Sequence, residues 1–470
     1  MKLPIFLFSF FLLQVTVCRG QVFPRDTIQR TGSDTSRINF VYLSDGYTAA
    51  DLSQYSLHVS EFNNKIFSST PFKEYAAYFN VFAVRVPSLE SGAKHARTAS
   101  DCPSEPSHPI IDPNNYFGSR FDKSGLHRLV TADSISKVFS VLSANYPNYD
   151  EAFIIVNSPY YGGSGGSIAA VATRNSSGAT IAAHELGHSF AQLADEYWAG
   201  TSYASERANM TKETSPALVK WKAWVGTNNV GVFPYPSGGA GWYRPVPGNH
   251  CKMENSGKPF CSVCVEAIVE KIHSLVKPID AFSPASQTLS LPTADLRFKL
   301  SLIKPMPNTL KVTWLLDGSV FSMNTDSVTI AGGSLPAGNH TLQALVTDTT
   351  ALTRAGYHIT VHSYNVLWNL STTTGVRDPV ASSFSVRAFP NPFNDHLNLE
   401  YELEKPASVV LELVNSVGVS VRQQQYSRQP AGKHRFTFNA PHASLADGAY
   451  YLIITINGIR TVEELIRVKN

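Results

Sequence analysis

The stretch Ala183-His184-Glu185-Leu186-Gly187-His188-Ser189-Phe190 is the place from which the rest of the chain can be read. Residues four apart on a helix share one face. His184 and His188 can therefore turn both imidazoles to one Zn²⁺, at bond lengths of about 2.0–2.1 Å. Glu185 lies one position round the helix, close enough to take a proton from a zinc-activated water. Two histidines do not complete a catalytic site, which usually takes three protein ligands and a water. The candidates for the third are Asp195, Glu196 and, far downstream, His250. Asp195 falls on the same face, but on a straight helix it would sit about 10 Å beyond His188 along the axis. It can ligate only if the helix breaks first, yet Ser189–Ala194 contains neither Gly nor Pro. If the helix continues, Asp195 becomes a supporting or capping residue and the ligand comes from elsewhere. Tyr197 and Tyr243 are candidate donors to an oxyanion.

Outward from this motif, periodicity predicts an α/β unit over residues 21–279. Ile38–Leu43 reads as a short apolar strand. Thr48, with Asp51 three residues later, reads as the cap of a helix running towards Phe67. Tyr78–Val86 reads as a strand with Phe82, Val84 and Val86 on one face and Phe79, Val81 and Ala83 on the other. Thr131–Asn145 carries helical spacing through Ile135, Val138, Phe139 and Leu142. Ala152–Val156 is apolar throughout, as in a strand buried on both faces. The Gly-rich Gly162–Gly166, a strand at Ser167–Thr173 and a helix capped by Ser176 or Ser177 then lead into the motif. Strands alternating with helices imply a mixed sheet with helices packed on it. Ser167–Thr173 is the expected edge strand, suited to pairing with an extended peptide.

Beyond residue 280 the helical spacing fades. Leu310, Val312 and Trp314 alternate, Asp317-Gly318 marks a hairpin, and Thr341–Thr347 and Tyr357–Val361 read as further strands. A small immunoglobulin-like β-sandwich is expected over 280–366, with a linker over 367–383. From 384 to 470 a second β module follows. Leu397, Leu399, Tyr401 and Leu403 alternate, Val409–Val414 follows, and Asn457-Gly458 joins the last two strands.

The N-terminus, MKLPIFLFSFFLLQVTVCRG, has one lysine, an apolar run of eleven residues and a small residue at its end. It reads as a signal peptide over residues 1–20, too short to span a bilayer. Its removal takes away Lys2 and Arg19 and lowers the formal charge from +3 to +1. Among 470 residues only 16% are charged and 43% are hydrophobic, which excludes chain-wide disorder and a coiled coil. The charge balance gives no reason to expect nucleic acid as a partner. Cys102, Cys251, Cys261 and Cys264 remain in the exported chain, and a disulfide involving Cys251 is the expectation.

HELGHSF with Leu193-Ala194-Asp195-Glu196-Tyr197 resembles the signature of the IgA-peptidase family of zinc metallopeptidases. INFVYLSDGYT at Ile38–Thr48, Pro71–Pro87, Tyr161–Ala170, Cys251-Lys252-Met253 and Phe260–Cys264 are similar to that family's other blocks. The resemblance implies a metzincin-like fold with His184, His188 and Asp195 on zinc and Glu185 as general base. Met253 would then form a turn beneath the metal. Specificity for immunoglobulin does not follow from the motif, because a site determines reaction class rather than substrate. FPNPF at Phe389–Phe393, the later DGAYY and the final strand resemble the C-terminal sorting domain of the type IX secretion system. That resemblance implies outer-membrane transport and release or surface attachment.

The combined expectation is a secreted zinc endopeptidase built as an α/β (α+β) domain plus two all-β sandwich modules. Its expected partners are a protein or peptide substrate and the type IX machinery. The mature chain is expected to be monomeric, with no transmembrane segment. The rival reading is a non-catalytic surface adhesin carrying a vestigial peptidase module.

Overall fold

The structure is a computed structural model. It describes all residues except 1–20, 103–107, 166–168, 199, 201–202, 237–238, 240, 293, 373–385, 417, 440–444, 458 and 469–470. The expected signal peptide, part of the Gly-rich loop, most of the expected linker and Gly458 therefore lie outside the described residues. The chain divides into two compact units, residues 1–374 and 375–470.

The first unit is organised by a six-stranded sheet. Its strands are β1 (Arg25–Gln29), β2 (Ile38–Asp45), β3 (Phe79–Val84), β6 (Glu151–Val156), β7 (Gly163–Ser164) and β8 (Ala169–Thr173). A two-residue pair, β4 (Ser119–Arg120) and β5 (Thr131–Ala132), forms a separate ladder. The large sheet runs β1-β3-β2-β6-β8-β7. β2, β3, β6 and β8 are parallel neighbours, while β1 and β7 pair antiparallel at the two edges. Helices cover both faces, which is why β2, β3 and β6 are buried along their whole length. α1 (Leu52–Phe67), α3 (Gly178–Ser189) and α4 (Ser262–Leu275) share a core with Ile38, Phe40, Tyr42, Phe79, Val81 and Ala83. α2 (Ile135–Asn145) packs the other face against Val41, Leu43, Phe82, Val84 and Val86. The alternation read in Phe79–Val86 thus divides correctly between the two cores. Thr48 and Asp51 form the expected capping box, ahead of a single 3₁₀ turn and α1.

Three expectations need correction. Thr131 and Ala132 belong to β5, so α2 starts only at Ile135. Ile135 and Phe139 are 40% and 42% exposed; the buried face is Val138, Val141, Leu142 and Asn145. Ala169–Thr173 is not the edge strand, because β7 lies outside it and pairs with Val171 and Ala172. Tyr357–Val361 is not a strand: His358–Val361 forms one helical turn, and the strand comes after it at Ser363–Thr372. That strand runs into the stretch read as linker.

The remainder of the first unit is a β-sandwich of a three-stranded and a five-stranded sheet. Stacked Trp314 and Trp368, with ring centroids 5.9 Å apart, fill its centre. Asp317 and Gly318 both take positive φ in the hairpin, as a two-residue turn requires. Buried polar bonds tie the sandwich to the helical layer. The Tyr75 hydroxyl donates to Asp348 at 2.6 Å, and His273 lies 2.9 Å from the same carboxylate. The second unit, described by itself, holds a three-stranded and a four-stranded sheet. Leu397, Leu399, Tyr401 and Leu403 all face its core.

Candidate metal centre

α3 carries His184 and His188 on one side, and the turn at its C-terminal end decides the centre. The helix stops at Ser189. Gln192 adopts a φ of +53°, a left-handed conformation that usually falls to Gly or Asn. The Leu193 amide closes back on the Gly187 carbonyl at 2.9 Å. This turn folds Asp195 back onto the helix. Its Oδ1 lies 3.2 Å from Nε2 of His184 and 3.2 Å from Nε2 of His188. The break that Asp195 needs is therefore made without Gly or Pro, and nothing local in the sequence announces it.

The donor set fits a cation. His184 Nδ1 is 2.8 Å from the Lys252 carbonyl and His188 Nδ1 is 2.7 Å from the Leu193 carbonyl. A carbonyl can only accept, so each Nδ1 carries the hydrogen and each Nε2 presents a lone pair. The two Nε2 atoms face each other at 3.2 Å. Asp195 Oδ1 is buried with no hydrogen-bond partner. Three acceptors thus converge with no hydrogen between them, as metal ligands do when their outer nitrogens are pinned. The carboxylates also favour positive charge at this point: burial disfavours a charge on His188, yet the neighbouring Asp195 and Glu185 push its pKa upward. Burial alone would lift Asp195, but the two imidazoles hold it far below the usual carboxylate range.

Glu185 points to the same space. Burial raises its pKa above the ordinary value, and the two histidines only partly oppose this. A Cβ on Gly165 would lie 2.8 Å from Glu185 Oε2, so the loop approaches the carboxylate closely. His184, Glu185 and Tyr197 line one cavity together with Leu126, Arg128, Leu129, Tyr161 and Gly163. His188 and Asp195 line a second one with Gln192, Tyr203 and Arg207. The centre therefore lies between two depressions.

Met253 lies under α3, fully buried. A Cβ on Gly187 would come within 2.6 Å of its sulfur, so this glycine is required by close approach. The Tyr235 hydroxyl donates to the Asp195 carbonyl and helps fix the turn.

The other candidates separate. Glu196 turns away from the cleft; its Oε1 accepts from Asn209 at 3.0 Å and lies 3.4 Å from Cys264 Sγ. His250 is exposed and bonds the Gly248 carbonyl. Tyr243 pairs with Pro234 in a small hairpin and is absent from the lining of either depression. The expected Cys251 disulfide is not formed. Cys251 and Cys264 sulfurs are 3.6 Å apart, well beyond the roughly 2.05 Å of an S–S bond, and all four cysteines are free. The cleft walls at Leu126, Arg128, Leu129, Tyr161 and Arg207 were not found from sequence, because no spacing relates those loops to the motif.

Residues 27–239 match the family model of IgA Peptidase M64, and residues 387–469 match that of the secretion system C-terminal sorting domain. The chain thus carries an M64 peptidase-family domain followed by a sorting domain. The sorting domain implies contact with the type IX secretion machinery and indicates export to a secreted or surface-attached location. Among the described residues, no helix is long and apolar enough to cross a membrane.

No curated protein matches the chain. Among solved structures, latent PorU from Porphyromonas gingivalis shares 14% identity over 41% of this chain and 20% of that one, at a TM-score of 0.17. The fibronectin(III)-like modules of Clostridium thermocellum CbhA share 13% over 41% of this chain and 93% of that one, at 0.16. PorZ of P. gingivalis shares 14% over 26% of this chain and 15% of that one, at 0.15. Likenesses this slight carry no argument.

Proposed function

We propose that the chain is a secreted zinc endopeptidase with His184, His188 and Asp195 as metal ligands and Glu185 as general base. The observation that carries this reading is the convergence of His184, His188 and Asp195 beside the half-buried Glu185, which lines the same cavity as His184. Zinc, when bound, supplies Lewis acidity that polarises the scissile carbonyl and acidifies water. The residues do the rest. Burial makes Glu185 a stronger base than an ordinary carboxylate, suited to taking a proton from the attacking water and passing it to the leaving amine. Tyr197 can donate its hydroxyl to the developing oxyanion, and Arg128 sits over its ring at 5.9 Å.

The reading extends to architecture: a metzincin-like catalytic domain over 21–279 behind a signal peptide at 1–20, an Ig-like sandwich that runs from 280 through the strand ending at Thr372, a linker over 373–383 and the sorting module over 384–470. The substrate class is extracellular protein, with immunoglobulin and other host glycoproteins as the first to try, on the strength of the family's name. The test compares the full chain with Glu185→Ala on denatured casein and on immunoglobulin, with zinc counted in both. Hydrolysis by the parent alone, at equal zinc content, is the expected result. Stoichiometric zinc in a parent that cleaves neither protein would sink the proposal and favour a binding protein.

A further inference from the structure

A second set of donors lies beside the cleft and plays no part in the chemistry above. His95, Cys102, Asp122 and His127 are all buried and converge within the reach of one ion. Cys102 Sγ is 3.2 Å from Asp122 Oδ1, 3.3 Å from His127 Nδ1 and 3.8 Å from His95 Nε2. His127 Nδ1 is 2.9 Å from Asp122 Oδ1, and His95 Nε2 is 3.7 Å from Asp122 Oδ2. A tetrahedral zinc with bonds of about 2.0–2.3 Å spaces its donors about 3.3–3.8 Å apart; the 3.3, 3.7 and 3.8 Å separations fall in that range, the Cys102–Asp122 distance of 3.2 Å is just short of it, and the His127–Asp122 distance of 2.9 Å is shorter.

The hydrogen positions can accommodate an ion. His95 Nδ1 is 2.7 Å from the Pro109 carbonyl, so it carries the hydrogen and Nε2 faces the cluster as an acceptor. An ordinary His127–Asp122 pair would leave that lone pair aimed at a carboxylate 3.7 Å away. The single thiol hydrogen of Cys102 can serve only one of its neighbours. On the far side, His127 Nε2 lies 3.3 Å from Nδ1 of His108. The His108 ring is held between His95 and Tyr160, with both centroids 3.7 Å away. With Nε2–H donated to His108, His127 turns its Nδ1 lone pair inward. Both histidines then have the pinned outer nitrogen of metal ligands. One thiolate and one carboxylate balance a dication, so the ion brings no net charge into the interior.

We propose that His95, Cys102, Asp122 and His127 hold a second, structural zinc ion that braces one wall of the cleft. Four protein ligands and full burial leave no position for water, which is the mark of a structural site. The ligands Asp122 and His127 bracket the turn that leads into the wall. Leu126, Arg128 and Leu129 line the cavity beside Glu185. The Gly163 amide bonds the Arg128 carbonyl at 3.0 Å, which joins the same wall to the sheet edge. The site stands whether or not the cleft is catalytic, so its test reads metal rather than hydrolysis.

The full-length chain is purified and its zinc counted, alongside Cys102→Ala, His127→Ala and the cleft pair His184→Ala/His188→Ala. The expected result is loss of one zinc per chain in Cys102→Ala and in His127→Ala, in addition to whatever the cleft pair loses. Cobalt-substituted protein is expected to lose its sulfur-to-cobalt charge-transfer absorption in Cys102→Ala. Unchanged zinc in both single variants, with native circular dichroism, would overturn the site. If those variants do not fold, thiol labelling of the parent decides. Labelling of Cys102 that begins only after a chelator removes one zinc supports the site. Labelling at the same rate with and without chelator refutes it.

Discussion

Two histidine clusters of the first unit use similar donors and differ in what surrounds them. In the cleft, the side chains of His184, His188 and Asp195 are 10%, 24% and 17% exposed, and a glutamate and a tyrosine share the space. In the sealed cluster, His95, His127 and Asp122 are 1%, 6% and 0% exposed, and a cysteine supplies the fourth donor. An open three-donor set leaves a position for water and substrate, whereas a closed four-donor set leaves none. Ligand count and access, more than ligand identity, separate a centre that can do chemistry from one that can only hold loops together.

The largest effect that can break this comparison is at Glu185. Glu185→Gln should lower hydrolysis by about 10²–10⁴-fold while zinc content stays at the parent's level. Near-parent turnover would remove the chemical distinction between the two clusters. Next comes the third ligand. Asp195→Ala should weaken zinc binding in the cleft by more than the roughly 100-fold that loss of an outer partner costs. Glu196→Ala should leave that affinity within a few-fold of the parent, because its carboxylate faces Asn209 and Cys264. The reverse pattern, read by chelator competition, would reassign the ligand.

A smaller effect concerns the support beneath the open centre. Gly187→Ala forces a methyl against the Met253 sulfur and should cost about 1–3 kcal/mol of stability, seen as a lower Tm. An unchanged Tm would mean that Met253 moves freely and the floor is not rigid. A separate test is a pH effect behind α3. Burial raises the pKa of Glu151 from 4.5 to about 8, although Ser189 and Lys271 oppose the shift. Between those values the folded chain keeps a proton that the unfolded chain releases. Stability is then full below 4.5 and declines as pH rises through the window to about 8. Glu151→Gln should flatten that decline in urea midpoints taken at both ends of the window. A slope equal to the parent's would place the titration elsewhere.

Much of the α/β unit was legible because its signals are local. The two faces of Phe79–Val86, the capping box at Thr48 and Asp51, and the apolar run Ala152–Val156 depend only on strand or helix period and on near neighbours. Where local signals misled, packing prevailed. Ile135 and Phe139 lie on the helical stripe but find no partner, and Asn145 is buried instead because it bonds the Phe23 amide at 2.6 Å. Tyr357–Val361 has strand-like composition, but His358 and His362 turn to Glu270 on α4 at 2.5 and 2.8 Å.

The sequence by itself determined the helix that carries His184, Glu185 and His188, because four residues make about one turn and no distant contact is needed to align them. It also determined the export address, through the sorting module. Only the tertiary structure decided which acidic residue joins the histidines. Gln192 enters a left-handed conformation at some local cost, within a turn held by the Leu193 and Tyr235 bonds. Only the tertiary structure, likewise, brought His95, Cys102, Asp122 and His127 together. Their spacings follow no helical or strand period, and it is the loops folding onto the sheet edge that make them neighbours.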